Sequence, residues 1–270
     1  MVAHTVAVIG AGKIGELVLS GLLRAGWPAS QLLATARRPE RGAELAERYG
    51  VRVVDNPTAV SEADVLAIAV KPQDAGVLLD EIGAKFPADK LIVSLCAGLP
   101  TSFFAARLPE GTPVIRVMTN TPALVDQAMT AISAGPHANA DHLAIAEEMF
   151  KPLGATIRVP ESQQDAVTAL SGSGPAYFYL LVEAMIDAGI LLGLPRQVAH
   201  ELIVQTAIGS AVMLRDSGEH PVKLREAVTS PAGTTISAIR ELEKHGVRAA
   251  LLAALEAARD RAREIAAQQS

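Results

Sequence analysis

Three glycines, Gly10, Gly12 and Gly15, follow directly after the apolar run at residues 5–9 and open a helical stretch. In this setting the first glycine allows a tight turn, the second lets a pyrophosphate approach the backbone, and the third lets helix and strand pack. The helix start also attracts phosphate charge, so the spacing predicts a dinucleotide site. The competing interpretation is a glycine-rich turn in another kind of α/β protein. The predicted cofactor contacts here are Ile9, Gly10, Ala11, Gly12, Lys13, Ile14 and Gly15.

The position that selects between the two nicotinamide dinucleotides carries arginines instead of an acid. A carboxylate about 20 residues past the glycines usually binds the ribose 2′-hydroxyl of NAD, whereas Arg37 and Arg38 stand at the end of the second predicted strand. Planar guanidinium groups suit a 2′-phosphate. NADPH is therefore predicted as the preferred cofactor, with NADH left open as a second donor. The alternative interpretation is that these two exposed arginines only solvate a loop and bind no phosphate.

Three later loops follow predicted strands and are expected to line the same crevice, because ligands of open parallel sheets bind at the carboxyl ends of strands. Lys71 is either a proton donor or, as we favour, a structural or cofactor contact. Cys96 is most simply a small buried residue, although it lies in one of these loops. The cofactor contacts predicted from these loops are Ala69, Val70, Lys71, Pro72, Cys96, Ala97 and Asn120, together with Asn56 after the third strand.

Short β-branched runs alternate with helical stretches up to about residue 160, a pattern that predicts βαβ units around a mainly parallel sheet. Beyond that point only helical segments remain. We therefore predict an α/β protein with a Rossmann dinucleotide-binding domain at residues 1–160 and an all-helical dimerisation domain at residues 161–270. The predicted strands are 6–9, 31–35, 51–54, 65–70, 91–95, 114–117 and 157–159, and the clearest predicted helices are 11–25, 38–49, 175–192, 195–214, 236–244 and 247–267.

Composition limits the classes of partner and the cellular compartment that we expect for this chain. The net charge is −5 and the chain has no long Lys or Arg run, which argues against a nucleic-acid partner. Cys96 is the single cysteine, and the six histidines show no metal-ligand or Ser/His/Asp pattern, so neither a metal site nor triad chemistry is expected. One cysteine and an N-terminus without signal-peptide features predict the cytoplasm.

The helical domain is predicted to pair with a second copy of the chain. Its two central helices, 175–192 and 195–214, are apolar around most of their circumference, which a small helical domain cannot bury alone. The first of them carries Glu183 and Asp187 near its middle, where a bilayer would penalise both charges. We interpret it as a buried helix and expect no membrane contact.

A series of motifs closely resembles the pyrroline-5-carboxylate reductase family across nearly the whole chain. The most specific are Leu-Ser-Gly-Ser-Gly-Pro-Ala-Tyr at 170–177 and Ser-Pro-x-Gly-Thr-Thr at 230–235. One departure is visible, since the family usually has glycine where this chain has Ala232, and a position that needs a positive φ would strain alanine. The other motifs are Ala-Val-Lys-Pro at 69–72, Met-Thr-Asn-Thr-Pro at 118–122, Gly-Leu-Pro at 193–195 and Gly-Glu-His-Pro at 218–221.

The resemblance implies a fold, an assembly and a reaction. The reaction is the reduction of L-1-pyrroline-5-carboxylate to L-proline with NAD(P)H, the final step of proline synthesis. The assembly is a homodimer through the helical domain, which in some members of the family builds decamers. The active site is then expected between the Rossmann domain of one subunit and the helical domain of its partner.

By the same resemblance Thr234 is the catalytic residue, because the family places a threonine hydroxyl beside the ring nitrogen, where it can donate or relay a proton. The loop before the predicted helix at 236–244 offers free N–H groups and a positive dipole end to the substrate carboxylate. Simple capping of that helix is the competing interpretation of Thr234 and Thr235. The predicted substrate contacts are Glu161, Gly218, Glu219, Ser230, Gly233 and Thr235.

Two other functions remain open at this point. A carbonyl reductase of the β-hydroxyacid dehydrogenase kind shares the layout but uses a lysine on a helix of the second domain, and here no lysine follows Pro175 before Lys223. A non-catalytic NADP-sensing protein would use the same fold to report redox state to a partner.

Overall fold

A computed structural model of the chain describes residues 4–83 and 86–269 and contains two compact units. The first runs to Ser173 and includes the C-terminal residues from Ala258 onward, and the second is Gly174–Ala257. The domain boundary expected at residue 160 stays a prediction, since the compact units divide at Ser173. Residues 1–3 and 270, the outer ends of the two predicted domains, lie outside the described residues.

One eight-stranded sheet forms the centre of the first unit. Its strands are β1 Val6–Ile9, β2 Leu32–Thr35, β3 Arg52–Val53, β4 Val65–Ile68, β5 Leu91–Ser94, β6 Val114–Met118, β7 Ala128–Ala134 and β8 Gly154–Arg158. They lie in the order β3-β2-β1-β4-β5-β6-β7-β8. All neighbours are parallel except β6 and β7, so the predicted mainly parallel sheet is confirmed.

Apolar cores lie on both faces of this sheet. In β1, Val6 and Val8 pack into one cluster while Ala7 and Ile9 pack into the other, because successive side chains of a strand point to opposite faces. Strands buried on both faces read as continuous apolar runs, which made them visible in the sequence. The helices of this unit are α1 Lys13–Arg24, α2 Pro39–Tyr49, α3 Asn56–Glu62, α4 Pro72–Gly83, α5 Thr101–Ala105, α6 Ala140–Phe150 and α7 Gln164–Val167.

The structure corrects the sequence-based elements at a few points. Strand β7 was not predicted, because its Ala-rich sequence has a weak strand preference and only its pairing with β6 and β8 defines it. Helix α1 begins at Lys13 instead of Ala11, since Ala11 still donates its N–H to the Thr35 carbonyl at 2.9 Å. The predicted strand 65–70 ends at Ile68.

The strand order reverses between β1 and β4. The chain moves outward from β1 through β2 to β3, and then returns to place β4 on the other side of β1. Loops that follow strands on the two sides of such a reversal separate and leave a crevice at the carboxyl edge of the sheet. This arrangement brings the loops after β1, β2, β3 and β4 to one place.

The second unit contains helices alone. They are α8 Gly174–Leu191, α9 Arg196–Asp216, α10 Pro221–Ala227, α11 Thr234–Lys244 and α12 Val247–Gln269, the last of which continues into the C-terminal residues of the first unit. Helices α8 and α9 approach closely at Gly189, where an added Cβ would lie 2.9 Å from the Cβ of Ala199. An ion pair of 3.1 Å joins Asp187 to Arg196 near the same place.

Helix α8 is exposed in the single chain, as expected for a helix that this domain cannot bury alone, and its burial by a partner stays a prediction. Its buried residues are Gly174, Ile186 and Gly189, whereas Phe178 is 67% and Leu180 65% exposed. By length and composition the helical stretch Glu161–Leu191 is also the one among the described residues that could cross a membrane, with 11% of its most apolar window buried. A surface of this kind needs either a protein partner or lipid.

A tight turn, residues 230–233, precedes α11. Gly233 donates its N–H to the Ser230 carbonyl at 3.1 Å, with Pro231 second in the turn and Ala232 third. Ala232 has a φ of +57°, the left-handed conformation that the third position of a type II turn requires and that glycine adopts most easily. The strain expected for alanine at this position is therefore present.

Replacing Ala232 by Gly should stabilise the chain by about 0.5–1 kcal/mol, because relief of roughly 1–2 kcal/mol of left-handed strain exceeds the flexibility that glycine adds to the unfolded chain. Chemical denaturation measures this free energy of unfolding. The matched control is Ala238→Gly, at an exposed helical position of α11, which should lose up to about 1 kcal/mol. A lower free energy of unfolding in both variants would show that Ala232 is not strained.

Candidate functional site: a dinucleotide cavity and a helix start

The glycine turn after β1 has the close packing that its spacing predicts. Gly10 adopts a φ of +82°, and a Cβ there would lie 2.5 Å from Cγ1 of Val70. A Cβ at Gly15 would lie 2.8 Å from the Gly10 carbonyl oxygen and 2.9 Å from Cγ1 of Val8. A side chain at Gly10 would collide with Val70 and strain the turn, and one at Gly15 would push α1 away from β1, so the first glycine permits the turn and the third permits the packing.

Gly12 differs from the other two glycines because it faces open space. A Cβ there would meet nothing within 4 Å, and Gly12 is the N-cap residue of α1. Lys13 and Ile14, which follow it in the first helical turn, are exposed. An open helix start presents N–H groups and a positive dipole end to an anion. This geometry suits the predicted pyrophosphate contact, which stays a prediction.

A cavity of about 850 Å³ opens beside this turn, within the usual size of a small-molecule or cofactor site. It is formed by the loops after β1, β2, β3 and β4 and by one face of α4. Of the predicted cofactor contacts, it brings together Ile9, Gly10, Ala11, Gly12, Arg37, Arg38, Asn56 and Val70. It also includes residues that the sequence analysis did not name: Thr35, Ala36, Arg41, Val54, Asp55, Asp74, Val77, Leu78 and Glu81.

Three arginines line one side of the cavity. Arg37 and Arg38 are exposed, whereas the Arg41 side chain is 18% exposed. Arg41 donates from Nε to the Ala11 carbonyl at 3.2 Å and forms ion pairs with Glu16 and Glu44. Its position in the first turn of α2, directly after the loop that carries Arg37 and Arg38, could have identified it.

Glu16 of α1 connects Arg41 to the glycine turn. Its carboxylate accepts hydrogen bonds from Arg41, from Arg48 at 2.9 Å and from the Tyr49 hydroxyl at 2.8 Å. Burial by itself raises the pKa of Glu16, but the hydrogen bonds from Arg41 and Tyr49 and the charges of Arg41 and Arg48 outweigh it and lower that pKa. The carboxylate therefore stays ionised and holds Arg41 in place.

Acidic and amide groups also line the cavity. Asp74 of α4 forms an ion pair of 3.1 Å with Arg37. Glu81, two helical turns further along α4, accepts a hydrogen bond of 3.0 Å from the Asn56 side chain. Asp55 caps α3 by accepting from the Thr58 N–H at 2.8 Å. Neither acid of α4 carried a sequence signal, because each is an ordinary polar residue on an exposed helix face.

Several predicted cofactor contacts lie outside the lining of this cavity. Lys71 and Ala97 are exposed, and Ala69 and Pro72 are half-buried. The Cys96 thiol is buried 3.4 Å from the Val70 carbonyl, and burial raises the pKa of this thiol to about 12, which agrees with its interpretation as a small buried residue. Their cofactor contacts stay predictions.

Asn120 and Glu161 already have partners within the first unit. The Asn120 amide donates to the Ser171 carbonyl at 3.1 Å and accepts from the Met129 N–H at 3.1 Å. Both Glu161 carboxylate oxygens accept from Thr101, one from its N–H at 2.7 Å and one from its hydroxyl at 2.6 Å. These contacts give both residues a structural role and leave their predicted ligand contacts untested.

The predicted substrate residues Gly218 and Glu219 lie on an exposed loop of the second unit. Gly218 has a φ of +66°, and Glu219 forms an ion pair of 3.1 Å with Lys223 one helical turn on. His220, next in the loop, caps α10 by accepting from the Val222 N–H at 3.3 Å. This loop ends at α10, so its geometry is fixed mainly by that helix start.

The start of α11 contains the remaining predicted residues. Gly233 is the N-cap residue, so neither Thr234 nor Thr235 caps the helix, and the capping interpretation is wrong. A Cβ at Gly233 would lie 2.4 Å from the Ser230 hydroxyl oxygen, so a side chain there would have to displace that hydroxyl. Thr234 is exposed and Thr235 half-buried. First-turn N–H groups without a side-chain cap can receive a carboxylate.

Comparison with known proteins relates both units to one group of enzymes. The family model described as pyrroline-5-carboxylate reductase dimerisation matches residues 161–265, and that described as NADP oxidoreductase coenzyme F420-dependent matches residues 5–98. The pyrroline-5-carboxylate reductase of Corynebacterium melassecola is 43% identical over 265 residues, covering 97% of this chain and 98% of that protein. The Pseudomonas aeruginosa enzyme of the same name is 40% identical, covering 97% of each chain.

Solved structures agree over the full length. The pyrroline-5-carboxylate reductase of Coxiella burnetii has a TM-score of 0.92 at 33% identity, covering 98% of this chain and 99% of that one. The Plasmodium falciparum pyrroline carboxylate reductase, solved with NADP bound, has a TM-score of 0.88 at 27% identity with the same coverage. On its full-length identity to these enzymes, the chain belongs to the pyrroline-5-carboxylate reductase family.

Proposed function

We propose that this chain reduces L-1-pyrroline-5-carboxylate to L-proline with NADPH. The observation that carries the proposal is the position of the glycine turn, which opens on an arginine-lined cavity of about 850 Å³ in a member of this family. The reaction adds a hydride to the imine carbon and a proton to the ring nitrogen, and the nicotinamide supplies the hydride. The chain itself must hold the two reactants together and provide the proton.

The residues around the cavity suit a dinucleotide phosphate. The open approach to Gly12 and the first turn of α1 would receive the pyrophosphate. Arg37 and Arg38 would bind the ribose 2′-phosphate, with Arg41 as a third cation fixed against the turn. This favours NADPH over NADH, and the Plasmodium falciparum relative with NADP bound supports the choice.

The start of α11 would hold the substrate. Ser230, Gly233 and Thr235 surround N–H groups that face no side-chain cap, and a substrate carboxylate there would gain hydrogen bonds and the helix dipole. Thr234 is the proposed proton donor or relay at the ring nitrogen, with Thr235 as the neighbouring hydroxyl. Glu161, Gly218 and Glu219 are proposed as further substrate contacts from the family resemblance.

A second copy of the chain is the proposed partner for the exposed faces of α8 and α9. The match to a dimerisation family over residues 161–265 supports a homodimer through these helices, with assembly into decamers as a further step. Glu183 and Asp187 interrupt α8 and make lipid a poor alternative. We also propose that the enzyme is cytoplasmic, because a chain with a single cysteine fits a reducing compartment. Light scattering of the purified chain measures the mass of the assembly directly.

An absorbance assay tests the proposed reaction. With pyrroline-5-carboxylate, the NADPH absorbance should fall and L-proline should accumulate in equal amount, because each turnover oxidises one NADPH. The control is NADP⁺ with 3-hydroxyisobutyrate, a substrate of the β-hydroxyacid dehydrogenase kind, which should give no NADPH. NADPH binding without proline formation would refute the reductase and favour a sensor.

Removing the two exposed arginines tests the cofactor choice. Arg37→Ala with Arg38→Ala should raise the KM for NADPH by about ten- to a hundredfold and leave the KM for NADH almost unchanged, because charge-assisted hydrogen bonds are worth about 1.5–3 kcal/mol and NADH lacks the 2′-phosphate. Arg240→Ala, an exposed arginine of α11, is the charge-matched control. An unaltered ratio of the two KM values would remove the argument.

Two threonine variants test the proton donor. Thr234→Ala should lower kcat by about ten- to a hundredfold while Thr234→Ser restores most of it, because the serine hydroxyl keeps the hydrogen bond that forms as the nitrogen is protonated. Thr235→Ala is measured alongside, and Ser237→Ala is the control because its hydroxyl is already bonded to the Gly233 carbonyl at 3.1 Å. A normal kcat in Thr234→Ala with a large loss in Thr235→Ala would transfer the role to Thr235.

A further inference from the structure

The ion pair between Arg37 and Asp74 joins two residues of the cavity lining. Arg37 follows β2 and Asp74 lies in the first turn of α4, and both side chains line the cavity. Nη2 of Arg37 lies 3.1 Å from Oδ2 of Asp74. The arginine side chain is 83% exposed and the aspartate 36% exposed. A proposed phosphate ligand is thus already engaged with an acid of the same chain.

The three cavity arginines differ in how they are held. Arg41 has three oxygen partners and is mostly buried, so it is a fixed cation. Arg38 forms no ion pair among the residues that the structure describes, so its guanidinium is available. Arg37 alone is paired to an acid that belongs to the cavity wall. A 2′-phosphate that recruits Arg37 must therefore displace Asp74 or share the guanidinium with it.

The magnitudes favour displacement. An exposed ion pair contributes little free energy, whereas a phosphate monoester carries up to two negative charges and forms bidentate, charge-assisted bonds with arginine. The phosphate therefore displaces Asp74 from Arg37. Its binding free energy is reduced by the loss of the Arg37–Asp74 pair and by repulsion from the freed aspartate. A single carboxylate does little to orient a guanidinium as exposed as that of Arg37. The competition of Asp74 for Arg37 therefore outweighs any orienting effect, and Asp74 opposes phosphate binding.

From this geometry we infer that Asp74 is a specificity-determining residue, a displaceable counter-ion of Arg37 that weakens the selection of NADPH over NADH. The inference rests on the proposed function, because it takes Arg37 as a 2′-phosphate ligand. A purely structural role for Asp74, as an acid in the first turn of α4, would stabilise the helix without distinguishing nucleotides that differ only by a 2′-phosphate.

The experiment compares two adenosine nucleotides that differ only by a 2′-phosphate, 2′,5′-ADP and 5′-AMP, by calorimetric titration of the full chain. Asp74→Asn should bind 2′,5′-ADP about two- to fivefold more tightly, the equivalent of one exposed ion pair, and bind 5′-AMP unchanged. The gain should vanish in an Arg37→Ala background. It should also shrink when the salt concentration is raised, because exposed charges are screened.

Asp80→Asn is the matched control, because it removes the same charge from α4 at a position outside the cavity lining. No gain, an equal gain for both nucleotides, a gain in Asp80→Asn, or a gain that persists without Arg37 would each overturn the inference. Binding of 2′,5′-ADP to the unaltered chain separates the two hypotheses. If it binds and Asp74→Asn has no effect, only this inference fails, whereas absence of binding removes the proposed cofactor site as well.

Discussion

The contact between the backbones of β1 and α1 determines the rest of the candidate site. Gly15 lets the helix approach until a Cβ would lie 2.8 Å from the Gly10 carbonyl, and this closeness aims the start of α1 at the carboxyl edge of the sheet. The Ala11 N–H then bonds to Thr35 at the end of β2, while the Ala11 carbonyl accepts from Arg41. One turn thereby connects α1, β2 and α2, so the groups proposed to bind phosphate share a single support.

Charge is distributed over this support in two ways. Glu16 is mostly buried and its pKa is lowered by the partners that outweigh burial, so the Glu16–Arg41 pair persists over a wide pH range. The pair between Arg37 and Asp74 lies in solvent, where screening leaves it weak. The first arrangement maintains the shape of the turn, and the second can change partners when a ligand enters.

Strands β1, β2, β4 and β5, which are buried on both faces, were largely predictable from the sequence because continuous apolar runs and the glycine spacing are local signals. Strand β7 was not, since Ala128–Ala134 forms a strand through its pairing with neighbours far along the chain. Arg41 and Asp74 join the cavity only because α2 and α4 present them there. Thr234 was identified by family resemblance alone, because no charge pattern or hydrophobic periodicity marks it in the sequence.

The strained turn before α11 and the missing side-chain cap belong together. Serine or aspartate at the N-cap would satisfy a first-turn N–H from within the chain, yet the Ser230 hydroxyl occupies the space that such a side chain needs at Gly233. The turn therefore leaves orphan donors, and Ala232 adds left-handed strain. Backbone strain persists only where the surrounding structure compensates for it. A bound carboxylate would satisfy those donors, so the geometry that leaves them without a side-chain cap in the free chain is the one that would favour binding of an anionic substrate.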